Sequence, residues 1–369
     1  MRLGIITGEY PPLRGGVGAY TRIMVGEWHK RGHELFLFAP PQAHDAHAHL
    51  TSYAGKWGIS VVAPLRRWVA THKLDIVVLQ SQMAMYNLSG VITALPSLLR
   101  SAPVVTTFHD LLPPYLFPKA GFLRGWAMRQ LARTSARAVV TNDEDWRALL
   151  GLPNVSLIPI GSNISAQAVD ADERQALRQR VGGALLVGHF GFLYPNRGVD
   201  VLLRALAVVR RAHDVRLVMI GGREGGPTNP AYVAELDALI ATLDLSDAVH
   251  WTGYADERAV SAWLQSVDCL ALPFLDGAST RRGSLMAAIE HACPVVTTQP
   301  SISVQAFADA NAMRFVPIGD VDALAGALGA WASEPSALKP YRQRMARLRQ
   351  AFQWHTIAEA FEAVFAGVR

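Results

Sequence analysis

The sequence predicts an α/β protein of two doubly wound parallel-sheet domains facing across a cleft. Short apolar runs rich in Val, Ile and Leu alternate along the chain with longer segments of helical periodicity, the pattern of buried parallel strands joined by crossover helices. That alternation is interrupted by Pro and Gly near residue 160 and then starts again. The length of 369 residues also exceeds the roughly 150 of a typical domain. With half its residues hydrophobic and only 18% charged, the chain can fill two cores and is unlike a disordered sequence.

The first strand is Leu3-Gly4-Ile5-Ile6-Thr7, closed by Gly8 and the Pro11-Pro12 pair. Residues 17–31 place Ile23, Met24 and Trp28 at helical spacing and stop at Arg31-Gly32-His33, before a second strand, Leu35-Phe36-Leu37-Phe38. The alternation continues with strands at residues 76–79, 104–107 and 138–141 and helices at 91–99 and 121–137. After Ile158-Pro159-Ile160-Gly161-Ser162-Asn163 comes a polar stretch, residues 170–180, and then the second series. Its strands fall at 185–188, 217–220, 249–251, 269–272 and 295–297. Its helices fall at 200–211, 233–243, 259–265 and 284–291, and a helical tail runs to Arg369. The expected division is residues 1–162, residues 163–350, and a final helix at 351–369 packing back on the first domain. In doubly wound sheets ligands bind outside the carboxyl ends of the strands, so both domains direct those ends to the expected cleft.

Composition excludes several classes. The longest apolar runs fall far short of the ~20 residues of a membrane-spanning helix, and Glu9 and two prolines follow the first strand too closely for a signal peptide, so the expectation is a cytoplasmic protein. Cys269 and Cys293 lack metal-ligand spacing and read as buried thiols, with no metal expected. The net charge of +5 is unevenly divided: residues 1–165 hold 16 Lys/Arg against 9 Asp/Glu, and residues 166–369 hold 19 against 21. A basic first half suits an acidic or membrane-bound partner, and equally suits plain solubilising charge. Residues 121–137, with Phe122, Leu123, Trp126 and Leu131 among Arg124, Arg129, Arg133 and Arg137, read either as a helix lying on anionic lipid or as a core helix with a solvated basic face.

Four places can carry chemistry. Gly15-Gly16-Val17-Gly18 opens a helix, where bare backbone suits approach to a phosphate or sugar hydroxyl, or serves turn geometry alone. His109, with Asp110, follows a strand and can bind a sugar hydroxyl or shuttle a proton, or be structural. Gly191 to Gly198 places Arg197 beside a helix start, where a guanidinium can clamp a diphosphate or remain in solvent. Strongest is the loop 273–285, which combines Asp276, Gly277, Arg281, Arg282, Gly283 and Ser284 ahead of an apolar helix. Backbone donors, a helix dipole and two cations there suit one anion. Gly-x-Ser-x-Gly, His-Glu-x-x-His and Walker motifs are lacking, which lowers the odds of serine hydrolase, zinc protease and P-loop chemistry.

Taken together, Glu9-Tyr10-Pro11-Pro12 with Gly15 to Gly18, His109-Asp110, Ile158 to Gly161, Gly191 to Gly198, Trp251-Thr252-Gly253-Tyr254 and Pro294-Val295-Val296-Thr297 make the chain resemble the family-four retaining glycosyltransferases of the two-Rossmann GT-B architecture over nearly its full length. The resemblance implies a nucleotide-diphosphate sugar as donor substrate, with no cofactor, metal or nucleic acid partner. The acceptor would be a glycan, a lipid-linked sugar or a small metabolite, and the protein would sit in the cytoplasm or peripherally at the inner membrane face. It implies Arg197 on the diphosphate, Gly253 and Tyr254 near the base, and Gly15, Gly16 and His109 toward the transferred sugar. Asp276 joins His109 and Arg197 as a candidate catalytic group. Retention in the family is attributed to front-face attack without a protein nucleophile. Two departures stand out: Ala287 replaces the second glutamate of the family's Glu-x7-Glu pair, with Glu290 one turn too late, and Phe192 replaces an arginine. These leave open a divergent donor site with Arg281 and Arg282 compensating, a silent nucleotide-sugar-binding partner subunit, or a sugar-nucleotide epimerase of the same form.

Overall fold

The computed structural model describes residues 1–13, 15–111, 122–222 and 229–369. Arg14, Gly121 and the side chains of Phe122 and Arg124 lie outside the described set. The chain divides into two compact units, Met1–Ile160 with Trp354–Arg369, and Gly161–Gln353.

In the first unit seven strands, β1 (Arg2–Ile6), β2 (Glu34–Ala39), β3 (Ala48–Ser52), β4 (Ile76–Ser81), β5 (Val104–Phe108), β6 (Arg137–Val140) and β7 (Val155–Leu157), form one parallel sheet in the order β3-β2-β1-β4-β5-β6-β7. In the second, β8 (Leu185–Phe190), β9 (Val215–Ile220), β10 (Val249–Trp251), β11 (Cys269–Leu272), β12 (Val295–Thr298) and β13 (Arg314–Val316) are likewise parallel, in the order β10-β9-β8-β11-β12-β13. Both are doubly wound sheets. The central strands are buried on both faces, which is why they read as unbroken apolar runs: β1 pairs with β2 and β4 along Leu3, Ile5 and Ile6, all fully buried.

The structure departs from the sequence reading at the sheet margins. β3, β7 and β13 end their sheets or have only three residues, and their exposed, polar or very short runs carry no clear period. The helical tail is in fact interrupted: β13 is followed by the helices Val321–Ser333, Leu338–Gln350 and Trp354–Ala366, with Asp320 capping the first through Ala323 and Pro335 following its end. The polar stretch after residue 170 is the helix Ala171–Val181, started by Asp170 accepting from the Glu173 amide at 2.7 Å. Both cysteines are buried free thiols, and no helix among the described residues is long and apolar enough to cross a membrane.

The terminal helix Trp354–Ala366 packs on the helix Gly16–Lys30 within the first unit. Trp28, fully buried, meets Phe361 and Phe365 at ring-centroid distances of 5.5 and 5.6 Å. Around them Arg31 pairs with Glu362 at 2.8 Å and with Glu359 at 3.3 Å, and His33 meets Glu362 at 2.7 Å. The Arg31 guanidinium holds the Glu362 carboxyl below its usual range. Partly exposed pairs of this kind contribute little, so the aromatic cluster is the main attachment. Trp28→Ala is expected to destabilise the first unit by about 3–5 kcal/mol. Urea unfolding followed by far-ultraviolet dichroism tests this, and an unshifted first transition would refute it.

Candidate functional site

Strand order reverses between β1 and β4 in the first unit and between β8 and β11 in the second, and the loops leaving the carboxyl ends of such strands form the binding crevice of a doubly wound sheet. Most of the residues singled out in the sequence fall on those loops.

In the second unit β8 runs into Gly191 at φ +135°, where an added Cβ would rest 3.7 Å from the Ser284 Cβ. The chain then turns through Pro195–Arg197 to Gly198 at φ +65° and enters the helix Val199–Val209. A Cβ on Gly198 would lie 2.0 Å from the Pro273 carbonyl oxygen. Only glycine lets the turn after β8 rest against the loop after β11. The two are also joined by the Leu275 amide donating to the Asn196 carbonyl at 3.0 Å.

Phe274, fully buried, is the platform between them. The Arg197 and Arg282 guanidinium carbons stand 5.7 and 5.1 Å from its ring centroid. Arg282 also pairs with the Asp276 carboxylate, which accepts from the Asn196 side-chain amide at 3.4 Å. Gly277, at φ +87°, and the Ser301 hydroxyl, donating to the Asp276 carbonyl at 2.7 Å, shape that turn. Burial, and next the Arg282 charge, push the Arg197 guanidinium below its ordinary value. Since a guanidinium keeps its proton, two cations stand here with one carboxylate, Asp276, paired to them among the described residues. Arg197 Nε, Arg282 Nε and Thr280 Oγ1 are buried without a hydrogen-bond partner among the described residues. Arg282 occupies the position before the helix Gly283–Glu290, without a side-chain capping bond, and the first turn of that helix includes Ser284. Two guanidinium groups, a hydroxyl and a helix start together suit a multiply charged oxyanion.

His189 lies beneath this loop. Its Nδ1–H donates to the Ala271 carbonyl at 3.0 Å, and burial first, with Arg197 adding to it, pushes its pKa down to about 4. It is neutral and adds no charge to the site. Arg281, by contrast with its neighbour, is exposed, and Gly283 is exposed with open space around it. Gly253, at φ +68°, and Tyr254, 67% exposed, follow the edge strand β10, two strands away from β8. There the Thr252 hydroxyl accepts from the Gly221 amide at 2.9 Å. Ala287 is fully buried in the core, and Glu290 is held by Arg349 at 2.8 Å and Gln353 at 2.6 Å, so neither position offers a carboxylate to a ligand. Phe192 is 46% exposed on the same loop as Arg197.

In the first unit the helix Gly16–Lys30 starts against Glu9, whose Oε1 accepts from the Gly18 amide at 2.9 Å. A Cβ on Gly15 would fall 1.9 Å from that oxygen, so a larger residue there would displace the Glu9 carboxylate. Gly16 has open space where a Cβ would stand. The chain therefore supplies one anion for this helix start itself. His109 follows β5, its Nε2 2.7 Å from the Gln80 Oε1 and its ring edge-on to Tyr20 at 4.7 Å. Burial pushes its pKa down to about 3. Phe274, Thr280 and Gln80 were not singled out by the sequence reading, since an aromatic, a threonine and a glutamine in or beside apolar runs carry no motif.

The comparisons bear on the family and the fold. The family model described as Glycosyl transferase 4-like domain matches residues 15–161, and that described as Glycosyl transferases group 1 matches residues 184–334. The chain is 25% identical over 368 residues (90% of this chain, 89% of the relative) to the GDP-mannose-dependent alpha-(1-6)-phosphatidylinositol monomannoside mannosyltransferase of Mycolicibacterium smegmatis. It is 30% identical over 247 residues, 60% of this chain and 54% of the relative, to the D-inositol 3-phosphate glycosyltransferase of Xylanimonas cellulosilytica. Among solved structures, Anabaena Alr3699/HepE in complex with UDP superposes with a TM-score of 0.74 at 18% identity, covering 99% of this chain and 100% of that one. A glycosyltransferase from Rickettsia africae ESF-5 gives 0.73 at 12% identity, covering 100% and 98%.

The buried histidines make stability depend on pH. Unfolded histidine takes up a proton near 6.5, whereas the folded protein holds His109 and His189 neutral down to about 3 and about 4. The unfolded state then binds more protons between those values, so stability falls on acidification below pH 6.5. The thermal midpoint is expected to be lower at pH 5 than at pH 7, with a shallower slope in His189→Asn. A slope unchanged by that substitution would count against it.

Proposed function

Because the chain belongs to the family-four-like glycosyltransferases and has their two-domain GT-B fold, we propose that it is a retaining glycosyltransferase that takes a hexose from a nucleotide-diphosphate donor and passes it to a hydroxyl on a glycan or lipid-linked acceptor. The observation that carries this reading is the convergence of Arg197 and Arg282 on the Phe274 ring at the carboxyl end of the second sheet.

In this reading the donor diphosphate lies against the two guanidinium groups and the start of the helix Gly283–Glu290, and needs no resident metal or cofactor. Breaking the sugar–phosphate bond leaves extra negative charge on the diphosphate. Cations already fixed on a buried ring stabilise that charge without reorganising. The acceptor hydroxyl attacks from the face the diphosphate leaves, and its proton passes to the departing phosphate oxygen. The anomeric configuration is thereby kept without a protein nucleophile. Asp276 orients Arg282. His109, neutral, serves as a hydrogen-bond partner of the sugar, and Gly253 and Tyr254 border the base. The names of relatives and neighbours make GDP-mannose and UDP-glucose the first donors to try.

A lipid-linked acceptor is favoured by one surface of the first unit. On the helix Phe122–Thr134, Leu123 and Trp126 are 52% and 64% exposed, and Arg129 reaches the Ala148 and Leu150 carbonyls, which brings exposed Leu150 alongside. Apolar side chains among arginines suit the interface of an anionic bilayer.

Arg197→Ala and Arg282→Ala are each expected to weaken nucleoside diphosphate binding by roughly tenfold or more, the usual cost of a charge-assisted contact. Calorimetry with GDP, UDP, ADP and TDP checks this, alongside donor hydrolysis and sugar transfer. Equal binding by both variants would overturn the donor site. Binding without sugar release or transfer, acceptors supplied, would replace the enzyme with a silent partner subunit.

A further inference from the structure

We infer that Gln80 is the positioning residue that fixes His109 as the Nε2–H tautomer, so that Nδ1 presents a lone pair to a sugar hydroxyl and not a proton to a phosphate. This rests on the reading of His109 as facing the transferred sugar, and adds which residue prepares it and which chemical group it accepts.

β4 reads Ile76-Val77-Val78-Leu79-Gln80-Ser81, and every residue of it is buried. A glutamine inside an apolar strand costs free energy unless its amide is used. The backbone carbonyl of Gln80 accepts from the Tyr86 hydroxyl at 2.7 Å, and its side-chain Oε1 lies 2.7 Å from His109 Nε2. The sheet register explains the meeting. Gln80 stands opposite Thr107 in β5, and His109 is two residues further along, on the same face. The His109 amide donates to the Ser81 carbonyl at 3.1 Å, so backbone and ring are both tied to β4.

A carboxamide oxygen only accepts, so Nε2 must carry the proton and Nδ1 the lone pair. The Tyr20 ring, edge-on at 4.7 Å and itself backed by Trp354 at 5.8 Å, limits rotation from the other side. Among the described residues, the Tyr20 ring meets the imidazole, its hydroxyl kept protonated by burial, and Asp110 is next in the chain. The desolvated ring is neutral. A neutral imidazole with Nδ1 open accepts from a hydroxyl and repels a phosphate oxygen, so the group opposite His109 belongs to the sugar rather than to the diphosphate. The Gln80 Nε2, by contrast, is buried with no partner among the described residues. The whole side chain therefore has one polar duty, to hold the ring.

Long-range 1H–15N spectra of the full chain, with His109 assigned by comparison with His109→Phe, read the tautomer directly. The proposal expects the Nε2–H form at pH 7 in the wild type, a loss of that uniform state in Gln80→Leu, and a His109 pKa raised toward neutrality in the isosteric Gln80→Glu. In turnover, both variants should lower kcat by about tenfold or more with the donor KM little changed, as when a catalytic imidazole is left in the wrong form. Gln80→Glu, which keeps size and acceptor, covers the case in which Gln80→Leu does not fold. An Nδ1–H tautomer in the wild type, or a kcat unmoved in Gln80→Glu, would overturn the role of Gln80. If the tautomer is as expected but His109→Phe transfers sugar at the wild-type rate, the placement of His109 at the sugar fails instead.

Discussion

The parallel pairing of β1 with β4 and of β8 with β11 is the constraint on which the candidate site depends. At these two places successive crossovers go to opposite sides, so the loops leaving adjacent strands diverge and leave their carboxyl ends uncovered. Most of the candidate groups sit at those ends or on the next strand: Glu9 after β1, Gln80 within β4, His109 after β5, Arg197 after β8, and Asp276 with Arg282 after β11, while Gly253 and Tyr254 follow the edge strand β10. The pairing is held by apolar side chains buried on both faces, and the buried polar residues of the strands, such as Gln80, Thr107 and His189, lie in their carboxyl-terminal halves. Burial energy builds the sheet, and the sheet determines which loops can meet.

Electrostatically, the two units solve different problems. In the second unit two cations are kept beside a buried aromatic ring, with Asp276 the carboxylate paired to them among the described residues, an arrangement that suits a further anion. In the first, the helix start that offers the same kind of donor is met by Glu9, and the adjacent imidazole is neutral. The first unit thus lacks the charge to hold a diphosphate through these groups, and what it presents is hydrogen-bonding of the kind a sugar needs. The placement of Arg and Glu after equivalent strands supports the proposed division of labour between an anion-holding unit and a hydroxyl-holding one.

Much of this was legible in the sequence because the central strands are buried on both sides and therefore hydrophobic without interruption. The edge strands β3, β7 and β13 were not, since a strand with one neighbour, or of three residues, need not show a period. The arginines of the loop 273–285 were legible as a pair through their density, but their separation into a half-buried Arg282 and an exposed Arg281 was not. Adjacent residues on a turn point in different directions, and only packing against Phe274 selects one. Ala287, which the sequence places where the family has its second glutamate, is sealed in the core, and Glu290 is committed to Arg349 and Gln353.

By itself the sequence determined the class of the fold, the succession of strands and helices, and the loops on which chemistry would be found, because each of these follows from local hydrophobic period and from turn residues with few alternatives. Tertiary structure alone decided which side chains share a face: that Phe274 carries two guanidinium groups, that Gly198 must be bare to pass the Pro273 carbonyl, that Glu9 occupies the first helix start, and that a glutamine in β4 meets a histidine beyond β5. These contacts join residues from 8 to 77 positions apart, and their partners are set by strand register and order, which no single segment of sequence contains.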